Sequence, residues 1–160
     1  MMNEAGLKAR ELGSDYYLKY GICSQCVIAS VMEVMDIDLG ELLKSAHFLA
    51  GGGCLMGDGN CGALAAGELV LGAFLGRTRE EFELGKFKER LLPGKQLVEK
   101  FQQKYGGVSC NWFRQKFAGN EFDMWQDAHV DIYKKKMKES CAEITGTVAE
   151  WVVEIITDLE

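Results

Sequence analysis

Six cysteines, at Cys23, Cys26, Cys54, Cys61, Cys110 and Cys141, stand in a chain of 160 residues. A thiolate is a nucleophile, a reductant and a soft metal ligand, so this residue type can carry disulfide exchange or hold a metal. The plainer reading, that a buried cysteine is only a small hydrophobe, applies to any one of them until its position is considered. Cys23 and Cys26 form a C-x-x-C. On the first turn of a helix this spacing puts both sulfurs on one face, within reach of a disulfide or a shared metal. Cys54 and Cys61 sit at the two ends of a glycine-rich run, "GGGCLMGDGNCG". Glycines let the backbone take positive φ and turn its N–H groups inward, so such a run can wrap a site.

Three of the six fall at or just inside expected helix starts: Cys23 after Gly21, Cys61 after Asn60, and Cys110 after Ser109, a candidate N-cap. Free N–H groups and the positive end of the helix dipole stabilise a thiolate there and lower its pKa. Cys61 is therefore the preferred attacking thiolate. Cys141 opens the last helical run less clearly.

Other chemistries fit less well. "GDGNCG" matches G-x-G-x-x-G through Gly57, Gly59 and Gly62, but that motif needs a strand leading in and a βαβ unit around it. A phosphate-binding P-loop would end in Lys-Ser or Lys-Thr, and Cys61-Gly62 stands there instead. Val27 takes the place where a haem-attachment motif needs histidine. His47 and His129 read as structural, and no Cys–His–Asx set for hydrolysis can be assembled. Glu68, the one charge in an apolar helix, reads as a helix edge or a buried ion pair; proton handling beside the thiols is the sharper alternative.

The elements that must position these residues are helical. Periodicity predicts a helix over Asn3–Tyr20 with Leu7, Ala9, Leu12, Tyr16 and Tyr17 inward, a second from Cys23 to the break at Asp36–Asp38, and a third from about Leu39 to Phe48. A fourth runs from Cys61 to about Leu75. Its small residues Ala63, Gly67, Gly72 and Gly76 admit a neighbouring helix closely. Leu91–Gly94 reads as a turn, followed by helices over "KQLVEKFQQKYGG" and "SCNWFRQKFAG" and a last one near Ser140–Leu159. No strand alternation is convincing, for "VAEWVVEII" fits a helix at least as well. The expectation is an all-α fold: a compact helical bundle in a single domain over residues 1–160, with a glycine-rich, cysteine-bearing loop.

Composition narrows the setting. The chain is 48% hydrophobic and 26% charged, and its 18 basic against 24 acidic residues leave a net charge of −6. That balance argues against nucleic acid as a partner. Lys134, Lys135 and Lys136 read as a solvated helix face. No apolar signal core and no membrane-length apolar run is present, so the expectation is a cytoplasmic protein without membrane insertion. In a reducing compartment several cysteines suggest metal or redox work rather than a disulfide scaffold.

Taken together, "YGICSQCVIASVM", "GGG…NCGALAAGELVLG", "KYGGVSCNWF" and the late single Cys141 resemble the C-GCAxxG-C-C family of redox-active proteins, over about Ala9 to Val153. The resemblance implies a small helical protein with a redox role, whose family cysteines map to Cys23, Cys61, Cys110 and Cys141. Three departures stand out. The closing glycine of the small-residue block, Gly67, is displaced by one; Cys26 and Cys54 are extras; and the connection from Asn120 to Glu139 is long, which makes Cys141 the least secure assignment.

The reading that follows is a thiol-based redox protein with two mechanisms open. The thiols cycle through disulfides, or all six cysteines are the pool of ligands for an iron–sulfur cluster or another thiolate-bound metal. The alternative of a different class is a non-redox structural or zinc-stapled helical binding protein. A redox partner protein is expected without being identifiable, and homo-oligomerisation stays open. If helix starts depress the thiol pKa, alkylation of the reduced, metal-free protein modifies Cys61 or Cys23 well before a typical buried thiol.

Overall fold

The computed structural model describes residues 3–119 and 122–159. Among them the chain forms eight α-helices and no strand: α1 (Glu4–Tyr20), α2 (Cys23–Met35), α3 (Gly40–Ser45), α4 (Gly62–Leu75), α5 (Leu92–Tyr105), α6 (Cys110–Ala118), α7 (Asp127–Lys136) and α8 (Lys138–Leu159). The all-α expectation holds. No helix among the described residues is long and apolar enough to cross a membrane.

The last helix is the axis of the fold. From Ile144 to Ala149 every residue of α8 is buried, and Trp151, Val152, Val153 and Ile156 continue the core. A helix buried over so long a stretch must be enclosed, and α1, α2, α4, α5 and α7 pack around this one. The reading of "VAEWVVEII" as helix is thereby settled against a strand.

Against α8, the first helix buries Ala9 and Tyr17 as periodicity predicts, together with two glycines it did not single out, Gly6 and Gly13. Leu7, Leu12 and Tyr16 are only half-buried, because the closest approach falls on the glycines instead. A Cβ on Gly146 of α8 would stand 2.4 Å from the Arg10 carbonyl oxygen, and one on Gly13 would stand 3.2 Å from the Gly146 Cα. The helices are locked there by Ser14 Oγ donating to the Ala142 carbonyl at 2.8 Å and by Arg10 paired with Glu150 at 2.8 Å.

The small residues of α4 work as expected in part. A Cβ on Gly67 would lie 2.8–3.1 Å from Leu97, Val148 and Val152, so glycine there is what lets α5 and α8 approach. Gly72 faces open space and Gly76 lies beyond the helix end, so neither admits a neighbour. The expected turn at Leu91–Gly94 is instead the start of α5. Pro93 sits in its first turn, where a missing N–H costs nothing.

Two glycines thus carry opposite expectations. Gly146→Ala should lower stability by about 1–3 kcal/mol, because the new methyl meets backbone rather than a movable side chain. Gly72→Ala should raise it by about 1 kcal/mol through helix propensity alone. Paired urea denaturation curves check both, and equal effects of the two changes would contradict the close α1–α8 approach.

Candidate functional site

The glycine-rich run folds back on itself before it reaches α4. Gly57 N donates to Gly51 O and Gly59 N to Gly52 O, each at 2.9 Å, so the chain crosses its own path. A Cβ on Gly52 would sit 2.7 Å from the Gly57 carbonyl carbon, which leaves room for glycine only. Gly51, Gly52, Gly53, Cys54, Leu55 and Gly57 all have positive φ. Two non-glycine residues in that region is an uncommon demand, met here by the hydrogen bonds around them.

The folded loop is then paired to the segment leading into α6. Cys61 N donates to Val108 O at 2.7 Å, Cys110 N to Gly59 O at 3.0 Å and Asn111 N to Gly57 O at 2.8 Å, with Asn60 and Ser109 forming an isolated antiparallel bridge. This pairing places the starts of α4 and α6 side by side. Ser109 caps α6 as expected, accepting from Trp112 N at 3.0 Å. The start of α2 joins them at Gly62, where a Cβ would collide with Cys23 Sγ at 2.7 Å.

Between these ends lies a largely apolar cavity of about 220 Å³, lined by Cys23, Cys61, Cys110 and Cys141. Each cysteine comes from a different element: the first residue of α2, the N-cap of α4, the first residue of α6 and the first turn of α8. Cys141, the least secure assignment from sequence, is among them. Cys26 and Cys54 do not line this space. The Cys26 thiol turns away and donates to Gly21 O at 2.9 Å, and Cys54 is exposed on the loop. All six are free thiols.

Electrostatics reverses one expectation. Burial dominates at every cavity cysteine and raises each thiol above its ordinary value: Cys61 well above, Cys23 and Cys110 upward, Cys141 to about 12. The helix-start amides do act. Those of Ala63 and Leu64 pull Cys61 down; at Cys23 the loop amide of Gly51 acts first, followed by the helix-start amides of Ser24 and Ala63. Desolvation of the thiolate in an apolar cavity is the larger effect, so Cys61 and Cys23 are not low-pKa thiolates. The sulfurs also feel one another: Cys23 acts on Cys61 and Cys141, and Cys110 acts on Cys23 and Cys141.

Three further residues line the cavity without having been flagged as functional. Arg114, one turn after Cys110, is only 3% exposed, and its guanidinium donates to the carbonyls of Phe122 (2.7 Å), Leu55 (2.8 Å) and Gly51 (3.4 Å). It ties the glycine loop to α6 while facing Cys110. Tyr17 and Tyr133 share a hydroxyl–hydroxyl hydrogen bond, and the Tyr17 hydroxyl also faces Cys141. The i, i+4 spacing of Cys110 and Arg114 on one helix was the available sequence signal. Nothing local in the sequence marks Tyr133.

The remaining candidates fall elsewhere. Glu68 is half-buried, with Asn60 bonded to its carboxylate, and faces a separate groove with Arg77 and Arg90. His47 is exposed, and His129 Nδ1 accepts from Asp123 N at 2.9 Å, a structural bond. Among the described residues no three His, Cys, Asp or Glu side chains are grouped so as to hold one metal ion. The four cavity thiols share a space without forming a ready ligand set.

Residues 22–155, most of the chain, match the family model described as "Putative redox-active protein (C_GCAxxG_C_C)". No curated protein and no solved structure matches the chain.

Two solution measurements follow from the burial pattern. Iodoacetamide at neutral pH should modify Cys54 first, and Cys54→Ser should abolish that fast phase; early labelling at Cys61 or Cys23 would restore the helix-dipole expectation. Burial holds the Cys26 and Cys141 thiols at about 12 against an ordinary 9.0. A group whose pKa is higher in the folded state stabilises the fold while protonated. That contribution is complete below the unfolded value and drains as pH rises through the folded one. Urea midpoints should therefore fall from about pH 9 upward, less steeply in Cys26→Ala.

Proposed function

Since the chain belongs to the C_GCAxxG_C_C family, described as redox-active, we propose that it is a dithiol–disulfide redox protein whose working thiols are Cys23, Cys61, Cys110 and Cys141. One observation carries this reading. Four cysteines far apart in sequence, on four different elements, line one cavity, while the two extras, Cys26 and Cys54, do not. A core that needed only small hydrophobes would have no reason to gather these four and leave the others out.

In this reading two cavity thiols are oxidised to a disulfide, and two electrons pass to an acceptor that is reduced in turn. The apolar walls keep water away and hold the resting thiols protonated, so reaction needs one of them to be singled out for deprotonation. The same reading takes residues 1–160 as one domain, supported by a main core that joins residues of α1, α2, α4, α5, α6 and α8. It places the protein in a reducing, cytoplasmic compartment, with a redox partner protein as its electron source or sink. A four-thiolate cluster is disfavoured by the donor geometry, since no three of these side chains are grouped about one point.

The test is anaerobic purification, iron and zinc analysis, and a thiol count before and after mild oxidation. The expected result is a metal-free protein that loses thiols in pairs and regains them on reduction. Cys26→Ser and Cys54→Ser should leave the pairing intact, whereas serine at any of the four cavity positions should change it. Stoichiometric iron would replace the reading with cluster chemistry. Firmly bound zinc with redox-silent thiols would replace it with a structural role.

A further inference from the structure

The cavity walls are apolar, yet one side chain in them carries a fixed positive charge. Arg114 cannot swing out to solvent: three backbone carbonyls, from Gly51, Leu55 and Phe122, hold its guanidinium, and the Phe122 ring lies 5.3 Å from its central carbon. Those bonds come from two different segments, the glycine loop and the chain beyond α6, so the charge is held from both sides. Cys110 stands four residues earlier on the same helix, which puts its sulfur on the guanidinium's side. We propose that Arg114 is the positioning residue that singles out Cys110 as the attacking thiolate, a role that rests on the dithiol reading above.

The comparison among the four thiols carries the choice. Arg114 is the one Lys or Arg among the described residues that line the cavity. The other titratable groups facing this space are Cys23 on α2, Cys61 at the start of α4, Cys141 on α8, and the hydroxyls of Tyr17 and Tyr133 on α1 and α7. None of these can offer a cation to a neighbour, and each thiolate would raise the cost of a second. Asp123, outside the cavity, is lowered first by the Trp125 amide and the Gln126 side chain, with the Arg114 charge a minor contributor. At Cys110 the guanidinium acts both as a charge and as a hydrogen-bond donor, second only to burial; at Cys141 its charge acts more weakly than burial, the neighbouring thiols and the Tyr17 hydroxyl. A charge-assisted hydrogen bond to an ionised acceptor is about twice as strong as a neutral one. Amides offset part of the burial at Cys23 and Cys61, but among the cavity residues only Arg114 brings a full positive charge and a donor together, at Cys110.

The reaction then has an order. The Cys110 thiolate attacks one sulfur of a substrate disulfide, R–S–S–R′; a bond forms between Cys110 and that sulfur, and R′S⁻ leaves and takes up the proton that Cys110 released. A second cavity thiol, Cys141 or Cys23, loses its proton and attacks the Cys110 sulfur, expelling RS⁻, which takes that proton. Two protein thiols have become a disulfide, and the substrate disulfide has become two thiols, with two electrons transferred.

The experiment uses the full chain carrying Cys54→Ser, which removes the exposed thiol, and 4,4′-dithiodipyridine as a small neutral disulfide. The rate of the first reacting thiol is followed from pH 6 to pH 10, and the mixed disulfide is located by mass spectrometry. The first adduct should lie on Cys110, and Cys110→Ser should abolish the fast phase. Arg114→Gln should shift its pH profile upward by at least a unit, a roughly tenfold loss of rate at pH 7, and Arg114→Lys should recover most of it. Loss of packing alone would not move the profile and be rescued by lysine. Because Arg114 also holds the loop, thiolate absorbance at 240 nm in the parent and in Cys110→Ser gives a second measure that needs no arginine variant. A first adduct on Cys23, Cys61 or Cys141, or an unshifted profile in a folded Arg114→Gln, would overturn the proposal. An adduct that forms on Cys110 and never resolves would overturn the dithiol reading and leave the arginine assignment standing.

Discussion

The convergence of the thiols depends on one piece of backbone pairing: the glycine loop lying against the segment before α6. Without the bonds Cys61 N to Val108 O, Cys110 N to Gly59 O and Asn111 N to Gly57 O, the starts of α4 and α6 have no common reference. The pairing requires the loop to cross itself, and the crossing leaves no space for a Cβ at Gly52. Glycine is here a steric necessity rather than a source of flexibility. The pairing bonds satisfy these N–H groups within the chain, so the contacts that place the cysteines also stabilise the loop.

Around that junction the helices act as a rigid frame. The glycine contact between α1 and α8 brings Tyr17 and Cys141 to the same wall of the cavity, and Gly62 admits the Cys23 sulfur beside the start of α4. Arg114 closes the arrangement by holding loop carbonyls with its donors while its charge faces Cys110. Structural and electrostatic roles thus meet in one side chain. A lysine would keep the charge but not the fork of donors that grips several carbonyls at once.

Burial decides the chemistry available to the thiols. Helix starts do stabilise thiolates, and the amides expected to act on Cys61 and Cys23 do act. In an open setting they would set the pKa. In a cavity walled by Phe113, Met124, Met137 and Ile144, removing the thiolate from water costs more than two or three amides return. The cavity therefore favours neutral thiols over thiolates.

From the residues alone the helical class could be read, because long stretches repeat at the helical period and only one proline interrupts them. The starts of α2, α4 and α6 were legible from Gly21, Asn60 and Ser109, and with them the positions of Cys23, Cys61 and Cys110 at helix ends. The family resemblance, not spacing, marked those three and Cys141 as one set. The glycines Gly6 and Gly13 that flank Ala9 on α1 were not legible, since a glycine in a helix gives no hydrophobic signal until a partner such as Gly146 is known to lie across from it. Nor could spacing tell that the Cys26 sulfur turns to the Gly21 carbonyl while Cys23 faces the cavity; both share a helix turn, and the neighbouring elements choose between them. Tyr133 entered the site only through tertiary structure, because helix contacts over long sequence separations have no local signature; for Arg114 the spacing from Cys110 was legible, but not the loop carbonyls that bury it. Local sequence determined which cysteines sit at helix ends; packing determined which of them meet, how deeply they are buried, and which one faces a positive charge.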